Sequence, residues 1–126
     1  MSYMENAIDW FEIPAADFDR AVKFYSAIYG FKMQLMDLGE LKMALFPVEK
    51  GGMGGSVVYH PDAYTPSEKG TLVYLNANPD LNKVLSKVEK AGGKIIQKKK
   101  LIAPDIGYMA LFIDTEGNRV ALHSMK

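Results

Sequence analysis

The chain has 126 residues, 48% apolar and 24% charged, and its formal net charge is zero. This composition suits one domain with an ordinary core, and the balanced charge offers no basic surface for nucleic acid or a membrane. The absence of cysteine excludes disulfides, thiol nucleophiles and thiolate metal ligands. Because the sequence has neither a membrane-length apolar run nor a signal-peptide core, we expect a cytoplasmic protein.

The first half of the chain is typical of a strand, a helix and three further strands. Ala7 to Ile13 is rich in aromatic and branched residues, and Pro14 is expected to end this strand. The helix covers Asp17 to Gly30, with Asp17 placed to cap its first turn and Gly30 placed to end it. The remaining strands are predicted over Phe31 to Asp37, Leu41 to Phe46 and Ser56 to His60.

The second half repeats this order. Adding 63, half the chain length, to Asp17 and Gly30 gives Asp80 and Gly93, which bound a second amphipathic stretch. The predicted strands around this second helix cover Thr71 to Asn76, Lys94 to Leu101, Tyr108 to Ile113 and Arg119 to His123.

These repeats predict one α+β domain built from two βαβββ modules in tandem. We place the first module at about 5–61, a linker at 62–69 and the second module at about 70–124. Neither module can bury its sheet face alone, so the strands should form a curved mixed sheet around a cleft, with the helices outside.

Three stretches resemble a known family: WFEIP at Trp10 to Pro14, GTLVYLN at Gly70 to Asn76, and DTEGNRVALHS at Asp114 to Ser124. With the paired modules and the helix sequence DRAVKFY, they resemble the vicinal oxygen chelate superfamily. That superfamily includes glyoxalase I, the bleomycin-resistance proteins and the extradiol dioxygenases, and the features here resemble a glyoxalase-like bacterial branch. The resemblance covers essentially the whole chain and implies the fold. It does not by itself imply an activity, because one fold hosts many chemistries.

The resemblance also implies where a metal would be held. Enzymes of the superfamily bind a divalent ion with His, Glu or Gln on the first and last strand of each module. In this chain those positions fall on Trp10, Val58, Thr71 and Ala121, and none is a carboxylate or an imidazole. We therefore expect no metal at these positions and no other cofactor.

Polar residues near the same strands are the candidate catalytic groups. Side chains two apart share a face, so Glu12 accompanies Trp10, His60 accompanies Val58, and His123 accompanies Ala121. If Glu12, His60 and His123 converge, they can serve as acid and base, or hold a metal as a facial triad. Alternatively each histidine bonds backbone or water at a strand end, and Glu12 pairs with Arg119.

Four further residues are candidates for ligand binding: Trp10, Ser56, Thr71 and Arg119. Trp10 is either the stacking wall of a pocket or a core side chain that fills the place of the missing metal. Ser56 and Arg119 follow the same strand alternation as the candidate catalytic groups.

Three functions remain open at this point. We favour a metal-independent protein that binds a small organic molecule in the cleft. The alternative is a glyoxalase-like lyase or isomerase that uses Glu12 with His60 or His123, and Arg119 as the stabilising cation. The third is an interaction protein without a ligand. The resemblance to bleomycin-resistance proteins also implies a homodimer, in which pairing would protect the edges of short strands.

Overall fold

Eight strands and two helices follow one another in the computed structural model, which describes residues 2–126. Strands and helices occur in the same order in each half of the chain. The elements are β1 (Phe11–Pro14), α1 (Phe18–Tyr29), β2 (Gln34–Leu38), β3 (Leu41–Leu45), β4 (Gly55–Tyr59), β5 (Tyr74–Asn76), α2 (Asn82–Leu85), β6 (Lys94–Ala103), β7 (Gly107–Ile113) and β8 (Arg119–Ser124).

The strands form two four-stranded mixed sheets, one from each half. The first sheet has the order β1-β4-β3-β2, and the second has the order β5-β8-β7-β6. In each sheet the first strand of the half pairs in parallel with the last, while the other pairs are antiparallel. The predicted α+β architecture of tandem βαβββ modules is confirmed.

Helix α1 has the ends that its sequence predicts. The carboxylate of Asp17 accepts a hydrogen bond from the backbone N–H of Arg20 at 3.1 Å. Gly30 has a φ of 69°, and its N–H donates to the carbonyl of Ser26 at 2.8 Å. The face of the helix that carries Phe24 and Tyr25 is buried.

The second helix is shorter than predicted, because only Asn82–Leu85 is α-helical. After it, the N–H groups of Lys87 and Val88 donate to carbonyls three residues back, so the segment continues as turns. The left-handed conformation falls on Gly92, with a φ of 109°, and not on Gly93. Gly93 is instead needed for close packing, because a Cβ there would lie 2.8 Å from the carbonyl oxygen of Ile113. Within residues 2–126 no helix has both the length and the apolar character to cross a membrane.

Several strands begin later than predicted. β1 starts at Phe11 and not at Ala7, because the pairing with β4 begins at Phe11 and Gly55. Pro14 belongs to this strand, since a proline at the end of an edge strand gives up no ladder hydrogen bond. β5 likewise starts at Tyr74, where pairing with β8 begins. The other limits also move: β2 begins at 34 and not 31, β3 ends at 45, β4 covers 55–59, β6 reaches 103, β7 begins at 107 and β8 reaches 124.

One hydrophobic core joins the two modules. The ring of Phe24 on α1 lies 5.7 Å from that of Phe112 on β7, and Tyr25 lies 5.6 Å from Phe46 of the first module. Leu81 and Val88 of the second helical segment belong to the same core. Burial of these large side chains therefore stabilises both halves together.

The turn between β7 and β8 binds the start of α1. Glu116 accepts hydrogen bonds from the N–H groups of Ala16 and Asp17 at 2.9 and 2.7 Å, and from the guanidinium of Arg20 at 2.7 Å. Burial on its own would raise the pKa of Glu116, but the hydrogen bonds from Arg20, Asp17 and Thr115 outweigh it and lower the pKa. A residue of the second module thus caps the helix of the first.

Asp114, in the same turn, is buried and fully hydrogen-bonded. It accepts from the Tyr25 hydroxyl at 2.7 Å and from the N–H groups of Glu116 and Asn118. Asn118 then donates to the carbonyl of Pro14 at 2.7 Å. The turn is therefore fixed against both α1 and β1, next to the cleft described below.

Candidate ligand-binding cleft

A cleft of about 1050 Å³ lies beside β1 and β5, the two parallel edge strands of the sheets. This volume is at the upper end of the range for small-molecule sites. Segments 46–48, 53–54 and 65–73 complete its wall. Side chains that line it include Trp10, Glu12, Thr71, Tyr74, Asn76 and Arg119.

Trp10 forms an accessible wall of this cleft. The residue is 44% exposed, which is inconsistent with a core residue filling a vacant metal site. Gly54 lies beside the indole, since a Cβ at this position would be in ordinary van der Waals contact with the ring at 3.5 Å. The rings of Phe31 and Tyr74 also line the cleft, which gives it several flat apolar surfaces.

Glu12 lines the cleft and is hydrogen-bonded to the linker. Its Oε1 accepts from the hydroxyl of Tyr64 at 2.7 Å. This hydrogen bond is the main cause that raises the pKa of Tyr64 above its ordinary value. Sequence reasoning missed Tyr64. The one feature that could have indicated it is its aromatic side chain within a linker otherwise rich in turn-forming residues.

Ser56 lies behind the cleft surface. Its Cα pairs with that of Glu12 on β1 and with that of Leu45 on β3. The side chain is fully buried, and its hydroxyl has no hydrogen-bond partner among the residues the structure describes. Its predicted role in ligand binding remains a prediction.

Thr71 and Arg119 are exposed residues of the cleft wall. The guanidinium of Arg119 forms no hydrogen bond or ion pair with any residue in the range 2–126, so the pair with Glu12 considered from the sequence is not formed there. By contrast, Arg20, the other arginine, is bound to Glu116. Arg119 is therefore available to a ligand.

The two histidines lie in different local settings. Nδ1 of His60 accepts from the N–H of Asp62 at 3.1 Å, and its Nε2 lies 3.6 Å from Glu40. Nε2 of His123 lies 2.6 Å from the carbonyl oxygen of Ile106. Neither ring lines the cleft that Glu12 lines.

The spacing along β4 separates Glu12 from His60. Glu12 is paired with Ser56, and His60 follows four residues later, which corresponds to about 13 Å along the strand. The structure therefore does not bring Glu12 and His60 together. Catalytic roles for Glu12, His60 and His123 remain predictions.

The four positions that would hold the superfamily metal do not fit one. Val58 and Ala121 are fully buried and aliphatic, and Trp10 and Thr71 supply at most one weak hydroxyl ligand. A different group, Glu40, His60 and Asp62, has three possible ligand atoms within 4.8 Å. The hydrogen bonding of His60 does not suit metal binding. Its Nδ1 accepts a hydrogen bond, so the neutral ring carries its proton on Nε2, the nitrogen that faces Glu40. A protonated nitrogen has no lone pair to offer a metal.

Comparison with known proteins identifies the family to which the chain belongs. Residues 7–122 match the model of the Glyoxalase/Bleomycin resistance protein/Dioxygenase superfamily, and the chain belongs to that superfamily. It is 32% identical over 122 residues to a glyoxylase-like domain-containing protein of Didymella fabae, and the match covers 94% of each chain.

Two solved structures show the same fold. The trypanothione-dependent glyoxalase I of Leishmania major superposes with a TM-score of 0.68 at 16% identity, covering 96% of this chain and 88% of that one. A glyoxalase/bleomycin resistance protein from Catenulispora acidiphila gives a TM-score of 0.61 at 18% identity, covering 93% and 96%. At such low identities these structures support the fold and do not assign an activity.

Proposed function

We propose that this protein binds a small organic molecule in the cleft beside β1 and β5, without a metal at the superfamily positions. The observation that carries the proposal is the exposed indole of Trp10 on the wall of a 1050 Å³ cleft. Flat apolar surfaces with a few polar groups are typical of sites for small organic ligands. Glu12, Thr71 and Asn76 supply such polar groups.

The glyoxalase-like lyase or isomerase is the second candidate. The hydrogen-bonded pair of Glu12 and Tyr64 supports it, because a carboxylate beside a phenol can move a proton. The contacts of His60 and His123 with other partners favour binding over this reaction, since neither imidazole is directed to the cleft.

A thermal-shift screen of metabolites, antibiotics and thiol conjugates tests the proposal. A ligand at about one hundred times its Kd adds about 2.7 kcal/mol of stability, which raises Tm by roughly 10 °C. We expect such a ligand to bind equally well after treatment with a chelator. In Trp10→Ala its affinity should fall roughly 30-fold, as for other aromatic residues at the centre of a site.

The control variant is Tyr3→Ala, which removes an aromatic side chain that is 88% exposed and lies outside the cleft. It should leave the ligand affinity unchanged. The same compounds are also assayed for turnover. Chelator-resistant turnover of a 2-oxoaldehyde–thiol adduct that is lost in Glu12→Gln would replace the binding proposal with the enzyme. A screen without any stabilising compound would contradict both.

We also propose that the protein forms a homodimer. All five residues of β2 are exposed, and this strand forms a free edge of the first sheet. It carries Leu35, Met36 and Leu38 into solvent in the single chain. Pairing with a second copy would cover these side chains and the free edge.

Sedimentation at micromolar concentration should give twice the 14.0 kDa chain mass, and Leu35→Lys together with Leu38→Lys should yield the monomer. A monomeric wild-type protein would contradict the proposal.

A further inference from the structure

The cleft has very few charged groups on its wall. Among residues 2–126, only Glu12 and Arg119 line it with charged side chains, while most other lining residues are apolar or aromatic. A ligand that fills such a cleft must therefore satisfy these two charges and otherwise offer apolar surface.

Glu12 and Arg119 differ in whether they already have a hydrogen-bond partner within the protein. Glu12 accepts a hydrogen bond from the hydroxyl of Tyr64, and this neutral donor partly stabilises the negative charge of the carboxylate. Arg119 has no hydrogen bond or ion pair with any residue of the described chain. When a ligand displaces water from the cleft, the guanidinium of Arg119 therefore needs an acceptor for its N–H donors.

We propose that the cleft selects an organic anion, in which a flat apolar body lies against Trp10 and a carboxylate pairs with Arg119. This proposal rests on the proposed function and names its ligand class. Arginine suits this task because its planar fork binds a carboxylate through two parallel hydrogen bonds. Tyr74 lies on β5, the strand that pairs with β8, so this aromatic side chain of the cleft and Arg119 belong to neighbouring strands.

Glu12 fixes the orientation of the ligand. A carboxylate beside Glu12 would be repelled, so the anionic end of the ligand lies towards Arg119. The end near Glu12 carries a hydrogen-bond donor or an apolar edge. The cleft therefore discriminates against ligands that carry a second anionic group near Glu12.

The test uses three probes that share one flat body: indole-3-acetate, indole-3-acetamide and tryptamine. Calorimetric titration at low salt should rank the anion above the neutral amide by roughly tenfold, as expected for a charge-assisted hydrogen bond that is partly exposed. The cation, which Arg119 repels, should bind more weakly than the anion. In Arg119→Gln the preference for the anion should disappear, while the affinity for the amide stays within a factor of two.

Two further variants complete the design. Arg119→Lys keeps the charge but loses the fork, and it should retain only part of the preference for the anion. Lys32→Gln removes an exposed cation that does not line the cleft, so it should behave like the wild type. The melting temperature of each variant shows that it is folded.

The possible outcomes separate this proposal from the proposed function. Equal affinities for indole-3-acetate and its amide, unaffected by Arg119→Gln, would overturn the choice of an anion and leave small-molecule binding intact. If none of the three probes binds while the metabolite screen returns another ligand, the organic-anion proposal is wrong and the proposed function stands. If the screen also returns nothing, both are wrong.

Discussion

Replacing Glu116 with alanine should lower the free energy of unfolding by about 2 kcal/mol, because two backbone N–H groups and the half-exposed guanidinium of Arg20 lose a charged acceptor. The side chain of Glu116 is fully buried and bonds two N–H groups at the start of α1 as well as the guanidinium of Arg20. Its removal leaves the N–H groups of Ala16 and Asp17 without their acceptor. Urea denaturation measures the loss.

The same carboxyl should make stability depend on pH. Because the pKa of Glu116 is lowered in the folded protein, the unfolded carboxyl binds a proton more readily than the folded one. Its stabilising contribution is complete above about pH 5 and declines as the pH falls below about 4. Glu116→Gln keeps the side-chain shape and should lose this part of the acid dependence.

The matched control is Glu89→Ala, which removes an exposed carboxylate from the second helical segment. Its free energy of unfolding should change by no more than about 0.5 kcal/mol. Wild-type stability in Glu116→Ala, or an acid dependence that persists unchanged in Glu116→Gln, would contradict the role given to this residue.

Gly55→Ala should destabilise the protein by about 3 kcal/mol, at the upper end for overpacking. A Cβ at this position would overlap the ring of Phe11, which is paired with Gly55 in the parallel ladder. That ring lies 5.3 Å from the ring of Phe46. Moving the side chain of Phe11 aside would therefore disturb its contact with Phe46.

A double mutant identifies the cause. If the overlap with Phe11 is responsible, Gly55→Ala should cost much less in a Phe11→Ala background than in the wild type. Gly70→Ala is the control, because the nearest atom to a Cβ there is the carbonyl oxygen of Ser67 at 4.0 Å. Equal costs of Gly55→Ala in both backgrounds would show that the ring is not the obstacle.

Local sequence signals predicted the elements whose causes are themselves local. Asp17 and Gly30 bound α1 as expected, because capping and the left-handed conformation depend on neighbouring backbone. The second helix was predicted too long, since the pattern of apolar residues persists through Val88 while the hydrogen bonds change to turns. The period of the apolar residues indicates which face of a segment is buried. It does not indicate whether each backbone N–H donates to the carbonyl four residues back, as in an α-helix, or three residues back, as in a turn.

The candidate site was predictable in part. Trp10 and Thr71, placed by the family resemblance, line one cleft with Glu12 and Arg119, placed by strand alternation. Tyr64 and Glu116 were missed as partners, because their contacts with Glu12 and with α1 join residues 52 and about 100 positions apart. His60 was grouped with Glu12 by strand face alone, without the distance along β4.

The bond between Glu116 and the N–H of Ala16 joins residues 100 positions apart in the chain. Closing so long a loop costs more conformational entropy than forming a helix turn or an antiparallel hairpin. We therefore expect this cap to form after the transition state for folding, once the shared core has assembled. A contact formed that late has little influence on how fast the chain folds. Its stabilising energy instead slows unfolding, so the cap formed by Glu116 serves mainly to prolong the lifetime of the native state.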